Sequence, residues 1–334
     1  MKHVAVVGAS GAVGQVIVQL LVERNFPVRS IKFLASARSL GKTVKFNGEE
    51  FPIELLAPSA FRGVDIVLSS TPGAVSKQFS PVAAEAGAVV IDNSSTFRMD
   101  PDVPLVVPEV NPGDIRRHKG IIANPNCSTI QMVVALKPIH DAVRIRRVVV
   151  STYQAVSGAG QQGLDELRSQ TEAYVRGEIA PRPAKFAHPI AFNCVPHIDE
   201  FMPNGYTKEE MKMVNETRKI MGDATIDVCP TCVRVPVFHS HSESILIETE
   251  RPITPEAARS LWASAPGVTV VDDPAQLLYP LPASAQDRDD VFVGRIRQDL
   301  HNPHALLFWC VGDNLRKGAA LNAVQIAEEL VKLG

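Results

Sequence analysis

The most constraining stretch of this chain lies in its first residues. His3-Val4-Ala5-Val6-Val7 reads as a buried strand, and Gly8-Ala9-Ser10-Gly11-Ala12-Val13-Gly14 follows it at once. Val13, Val16, Ile17, Leu20 and Leu21 then fall on one helical face. A strand that turns on glycines into an apolar-faced helix packs that helix back onto a parallel sheet. Glycines there also let the backbone approach a pyrophosphate, which rests on the helix N-terminal amides. The spacing is GxxGxxG rather than GxGxxG, a variant found in other dinucleotide folds.

The first third continues in the same manner. Strand patterns recur at 30–36, 64–70, 88–92 and 120–124, with a short helix at 76–85, and this alternation predicts a doubly wound α/β domain. After about residue 127 the texture changes. A helix at 129–140 leads to a long strand at 146–154, a polar helix near 160–176 and another near 207–221. Strands then follow near 231–238, 243–250, 268–272, 290–297 and 304–311 with few helices between, which predicts a larger, mostly antiparallel or mixed sheet. Pro181, Pro183, Pro189, Pro196 and Pro203 stud an ordered loop or arm, and an amphipathic helix at 314–333 closes the chain.

With 334 residues and 45% hydrophobic content, the chain has room for about two domains with sizeable cores. Its 34 basic and 36 acidic residues leave a net charge of −2, so no broad surface for nucleic acid or an anionic membrane is expected. The N-terminus enters a strand at once, without a cleavage site, and five thinly spread cysteines do not resemble a disulfide framework. A cytoplasmic protein with reduced thiols is expected.

Three further features carry chemistry. After the second strand, where an NAD-binding fold usually places an acid for the ribose hydroxyls, this chain has Ser36-Ala37-Arg38-Ser39. A guanidinium beside hydroxyls suits a 2′-phosphate, which favours NADP. Asn124-Pro125-Asn126-Cys127-Ser128-Thr129-Ile130-Gln131 stands directly ahead of an apolar helical run. A thiol at a helix N-terminus has its pKa lowered below the free value of about 8.5, as a nucleophile requires. Cys194, Cys229, Cys232 and Cys310 read as ordinary small hydrophobes. Finally, Arg234-Val235-Pro236-Val237-Phe238-His239-Ser240-His241-Ser242-Glu243-Ser244 ends a strand in a loop with two histidines, either of which could serve a thiolate as acid or base. No third ligand with metal spacing accompanies them, so no metal site is expected.

Taken together, GASGAVG, SARSLGK, DNSSTFR at 92–98, NPNCSTIQ, YQAVSGAG at 153–160, EEMK at 209–212, RVPV with HSES, and DNLRKGAA at 313–320 resemble the aspartate-β-semialdehyde dehydrogenase family over essentially the whole chain. The resemblance implies a Rossmann-type NADP-binding domain at 1–126, to which 314–334 returns, and a mixed α+β catalytic and dimerisation domain at 127–313. It implies Cys127 as the nucleophile that forms an acyl-thioester, His241 as acid/base and Gln154 as the residue orienting the intermediate. Arg234 would bind the substrate α-carboxylate, Glu209 the α-amino group, and Arg98 with Lys212 the phosphate. Ser10, Gly11, Ala12, Val13, Arg38, Ser39, Ser157, Gly158 and Asn314 match cofactor contacts. Ser240 departs from the family, many of whose members have glycine there.

The implied activity is NADP-dependent reductive dephosphorylation of aspartyl phosphate to aspartate semialdehyde, on the route to lysine, diaminopimelate, methionine and threonine, by a homodimer or homotetramer. The nearest rival is N-acetyl-γ-glutamyl-phosphate reductase, against which Glu209 facing a free amino group argues, together with the RVPV and HSES blocks. A non-catalytic NADP-binding scaffold is the rival from another class, and Cys127, His241 and the two phosphate cations argue against it.

Overall fold

A computed structural model describes residues 1–333. They form two compact units, one of Met1–Pro125 with the stretch from Ala319 onward, the other of Asn126–Gly318.

The first unit holds β1 (Lys2–Val7), α1 (Ala12–Glu23), β2 (Val28–Ala35), β3 (Thr43–Phe46), β4 (Glu49–Leu55), β5 (Ile66–Ser69), α2 (Gly73–Glu85), β6 (Val89–Asp92) and β7 (Ile121–Ala123). Its sheet runs in the order β3-β4-β2-β1-β5-β6-β7, parallel except for the β3–β4 hairpin. The hairpin was not anticipated. It turns on Asn47-Gly48, both at positive φ, the arrangement a tight hairpin turn favours. Alternate strand residues feed two cores, as the period of two requires. Val4, Val6 and Phe33 pack with Ile17, Leu20 and Leu21 of α1, whereas Ala5, Val7 and Val67 pack with Ala83 of α2.

The second unit contains α3 (Cys127–Val143), β8 (Ile145–Gln154), α4 (Gln161–Val175), α5 (Lys208–Met221), β9 (Asp227–Arg234), β10 (His241–Thr249), α6 (Pro255–Ala263), β11 (Val268–Val270), α7 (Pro282–Ala285), β12 (Val291–Gln298) and β13 (Ala305–Gly312). They build a six-stranded mixed sheet in the order β11-β12-β13-β10-β8-β9. The ninth strand begins and ends earlier than 231–238, because it pairs in parallel with β8 from Arg147 onward and stops before Pro236. Pro230 is tolerated inside it because β9 is an edge. α6 was also missed, although Thr254 caps it by accepting the Ala257 N–H and Pro255 opens it.

The proline-studded segment is tied to α4. Glu166 accepts the N–H groups of Ala184 and Lys185, and Gln170 those of Ile190 and Ala191. Ile190 and Val195 bury against Leu167. The segment is thus an ordered arm despite having almost no regular structure.

The last helix, α8, is shorter than expected, at Leu321–Leu333, and a π-turn at Arg316–Ala320 precedes it. Asp313 causes the difference. Its side chain accepts the N–H groups of Leu315 and Arg316, and its carbonyl accepts that of Gly318 five residues on. α8 packs Ala323, Ile326 and Ala327 into the core that α1 also lines.

Candidate active site

The residue before Cys127 organises the second unit's site. Asn126 is the N-cap of α3, its Oδ1 accepting the Ser128 and Thr129 N–H groups at 3.0 and 3.2 Å. Its Nδ2 donates to Glu209 Oε1 at 2.9 Å, and its backbone N–H donates to Glu216 Oε2 at 2.7 Å. Both carboxylates belong to α5, two turns apart on its buried face. Cys127 is therefore the first residue of a capped helix, where the helix dipole favours a thiolate.

Across from it, the inner face of the sheet offers a row of polar side chains. Gln154 pairs with Arg234 and His241 with Gly312, and the pairing of Tyr153 with Ser242 on the opposite face sets His241 beside Gln154. Arg234, Gln154 and His241 therefore stand side by side at the ends of three adjacent strands. His241 Nε2 lies 3.3 Å from Cys127 Sγ. Its Nδ1 accepts the Ala155 N–H at 3.0 Å, so the ring proton must sit on Nε2 and point at the sulfur. Burial, followed by the Arg234 charge, drives the imidazole well below its ordinary pKa. The site thus holds a neutral imidazole that donates to the thiol's position. His239, the alternative, is not the histidine at Cys127.

Glu209 and Arg234 are buried, whereas Lys212 is half-buried and Asp199 exposed. Burial alone would raise the Glu209 carboxyl, but Lys212 and Asn126 outweigh it and hold it below the usual range. Lys212 bridges Glu209 and Asp199 at 3.0 and 2.8 Å, and its pKa is raised because these carboxylates overcome burial. Gln154 Nε2 reaches Thr152 Oγ1 at 3.3 Å and Glu209 Oε1 at 3.4 Å. Arg234 donates to the Ala155 carbonyl at 2.7 Å and lies over the Phe186 ring. A Cβ on Gly158 would come within 3.1 Å of Arg234 Nη1 and 3.2 Å of the His241 ring. Only glycine leaves room for a ligand over both groups.

Ser157 and Asn314, expected as cofactor contacts, form the wall beside His241. Asn314 Nδ2 donates to Ser157 Oγ at 2.9 Å, and its Oδ1 accepts the Ser240 N–H at 2.9 Å. Ser240 holds φ at +71°, a left-handed conformation that explains why glycine suits this position.

In the first unit, the glycine loop is built for close approach. Gly8 has φ +83°, and a Cβ there would lie 2.2 Å from the Ser70 carbonyl oxygen; one on Gly14 would lie 2.2 Å from that of Gly8. Gly11 is the N-cap of α1 and supplies no side chain to its first amides, which therefore suit an anion. Ser10 Oγ and Ser39 Oγ meet at 3.2 Å, with exposed Arg38 in the same turn after β2, so the residues present fit a phosphorylated dinucleotide. Arg98 is buried, its Nε donating to the Asn124 carbonyl and its Nη2 to that of Asn93, both at 2.9 Å. It anchors the strand end that leads into the Cys127 segment.

Sequence reasoning missed Asn126, Glu216 and Asp199. An Asn directly ahead of a helical run is a readable cap signal, whereas nothing local marks the two acids as its partners and Lys212's.

The family described as semialdehyde dehydrogenase, NAD binding domain, matches residues 3–118, and semialdehyde dehydrogenase, dimerisation domain, matches 136–317. Aspartate-semialdehyde dehydrogenases of Aquifex aeolicus and Bacillus subtilis are 58% and 54% identical, each over 99% of this chain and 98% of the relative. Aspartate semialdehyde dehydrogenase II of Vibrio cholerae, solved in complex with ASA, superposes with a TM-score of 0.96 at 50% identity over 99% of this chain and 98% of that one. The Candida albicans enzyme, solved with NADP, gives 0.77 at 26% identity, over 99% of each chain.

The His241 environment has a measurable consequence. Its folded pKa lies below the ordinary 6.5, so the unfolded chain binds the extra proton first as pH falls. Stability from this residue is complete above about pH 7 and declines below it, by at most about 1.4 kcal/mol per pH unit. In urea titrations between about pH 8 and 5, wild type should lose stability faster than His241→Asn. Parallel pH curves for the two proteins would show that the imidazole is not held neutral.

Proposed function

The chain belongs to the aspartate-semialdehyde dehydrogenase family, and from that premise we propose that Cys127 is the nucleophile of an enzyme that forms an acyl-thioester. The protein is an aspartate-semialdehyde dehydrogenase, an oxidoreductase of aspartate-pathway amino-acid biosynthesis. One observation carries the assignment: the 3.3 Å approach of His241 Nε2 to Cys127 Sγ, at a helix N-terminus and beside Arg234 and Gln154.

In the biosynthetic direction the thiolate attacks the acyl carbon of β-aspartyl phosphate. The carbon–oxygen bond to phosphate breaks, and phosphate leaves with the electron pair, taking up a proton from water. The thioester left on Cys127 is more electrophilic than a carboxylate. A nicotinamide held by the first unit's glycine loop would supply the hydride that reduces it. His241, fixed with its proton on Nε2, donates to the oxygen that becomes negative. Collapse of the thiohemiacetal expels the Cys127 thiolate and releases the aldehyde.

Arg234 presents its planar fork to the α-carboxylate, a geometry lysine lacks. Glu209, held ionised, receives the α-ammonium, and Gln154 beside it orients the acyl group. Arg98 and Lys212 serve the phosphate, Lys212 turning from Asp199 when the dianion enters. Glu209 supports the free amino acid over the N-acetylated rival substrate.

We assign NADP as the cofactor, held by Ser10, Gly11, Ala12, Val13, Arg38, Ser39, Ser157, Gly158 and Asn314. Ser10, Arg38 and Ser39 would take its 2′-phosphate. We also read the protein as a cytoplasmic homodimer. The sheet face turned away from α3 carries Val149, Tyr153, Leu246, Leu307 and Trp309, each partly exposed, as an apolar surface for a second copy.

Pure protein given aspartate semialdehyde, phosphate and NADP⁺ should generate NADPH. Cys127→Ala should lose at least about a thousandfold in rate while still folding and binding NADP. Retention of turnover in that variant, or turnover only with the N-acetylated glutamate semialdehyde, would overturn the reading. Arg38→Ala should weaken NADPH by roughly tenfold to a hundredfold and NADH hardly at all, since only the former carries the 2′-phosphate. Equal losses for both cofactors would make Arg38 merely structural.

A further inference from the structure

One row below Arg234, Gln154 and His241, the inner face of the sheet carries a second set of buried side chains. Glu243 lies two residues beyond His241 on β10, and therefore on the same face. It pairs with Thr152 on β8 and Cys310 on β13, and it is completely buried. Above it, α3 contributes Gln131, one turn beyond Cys127 and on the same side of the helix. Gln131 is the polar side chain that acts on the Glu243 carboxyl, yet neither carboxyl oxygen accepts a hydrogen bond from it. Gln131 Nε2 donates to the His241 carbonyl at 3.4 Å.

The hydrogen-bond count in this layer does not close with an ionised acid. Both Glu243 oxygens and Gln131 Oε1 are buried without a donor among the described residues. Thr152 and Cys310 bring no charge, and among the described residues no salt bridge involves the Glu243 carboxyl and no cation is among the groups that act on it. An isolated buried carboxylate costs far more than a neutral acid, which also brings a donor of its own. A single proton on Glu243 resolves the mismatch.

We propose that Glu243 is a positioning residue that works in its protonated form. Its O–H donates to the Gln131 carboxamide oxygen, and Gln131 donates to the carbonyl of His241. The link fixes the strand that carries the imidazole against the helix that carries the thiol, one layer beneath the 3.3 Å contact between them. Burial also pushes the Glu243 carboxyl well above the ordinary carboxylate range, against the opposing pull of the Gln131 contact. Gly312 makes room for the link, since a Cβ there would lie 3.0 Å from Gln131 Oε1. Neither residue touches substrate. Their role depends on Cys127 and His241 reacting as proposed above.

Infrared difference spectroscopy of wild type against Glu243→Gln, at about pH 8, tests the protonation without any turnover. A carbonyl stretch of a protonated carboxylic acid should be present in wild type and missing in the variant. Only carboxylate bands in wild type would overturn the proposal while leaving the roles of Cys127 and His241 intact. In kinetics, Glu243→Gln, which keeps a neutral group of the same shape, should hold kcat within about threefold. Glu243→Leu, folded but without the donor, should lower kcat by roughly tenfold to a hundredfold with KM within about twofold, because misplacement of the pair slows chemistry more than binding. Gln131→Leu should cause the same loss, and the double variant no more than either single one. A folded Glu243→Leu with wild-type kcat, or additive losses in the double variant, would sink the link. If Glu243→Leu fails to fold, the infrared result and Gln131→Leu still decide.

Discussion

Asn126 is held from three sides, and the geometry of the site depends on that hold. Its side chain caps α3, its amide reaches Glu209, and its backbone N–H is taken by Glu216. A cap alone contributes about 1 kcal/mol. Here the same residue also ties the head of α3 to α5, which carries the group proposed to meet the substrate's amine. Displacing Asn126 would move the thiol, the helix dipole beneath it and Glu209 together. The close packing of Gly318, whose Cβ would sit 3.0 Å from that of Cys127, leaves the segment little freedom.

Polar groups this deeply buried are a poor route to stability. Desolvating Arg234 and Glu209 costs more than a mixed pair usually returns, and apolar replacements of similar volume often fold better. Their concentration at one end of the sheet, together with a histidine kept neutral beside an arginine, makes sense as preorganised electrostatics. The parallel pairing of β8 with β9 and the antiparallel pairing of β8 with β10 set three such side chains in one row. A slip of one residue in either ladder would turn a member of that row to the opposite face. The strand register is therefore part of the chemistry.

Much of this was legible in the residues. The strand–glycine–helix opening, the alternation after it and the change of texture near residue 127 correspond to elements of the two units. The SARS turn after β2 and the cysteine ahead of an apolar helix are local patterns that local physics can interpret. The errors also have local causes. The Asn47-Gly48 turn and the Thr254-Pro255 helix start are both local signals present in the sequence. The π-turn after Asp313 was not readable, because it rests on hydrogen bonds from one side chain competing with an amphipathic pattern. Partnerships across the chain were hidden for a different reason. Asn126 with Glu216, Lys212 with Asp199, and His241 with Ala155 join residues distant in sequence or at unremarkable spacing, and only the folded chain selects among the many acids and amides available. Ser240 sits at a positive φ that suits glycine, a conformation no local pattern around it marks.

The central claim is that the thiol at the head of α3 carries the substrate's acyl group. Rapid mixing of the enzyme with β-aspartyl phosphate in the absence of any nicotinamide, followed by acid quench and peptide mass spectrometry, examines it directly. The peptide containing Cys127 should gain the mass of one aspartyl group through an alkali-labile thioester, with phosphate released in equal amount. Phosphate release with an unmodified Cys127 peptide, or the acyl group found on another residue, would contradict the account.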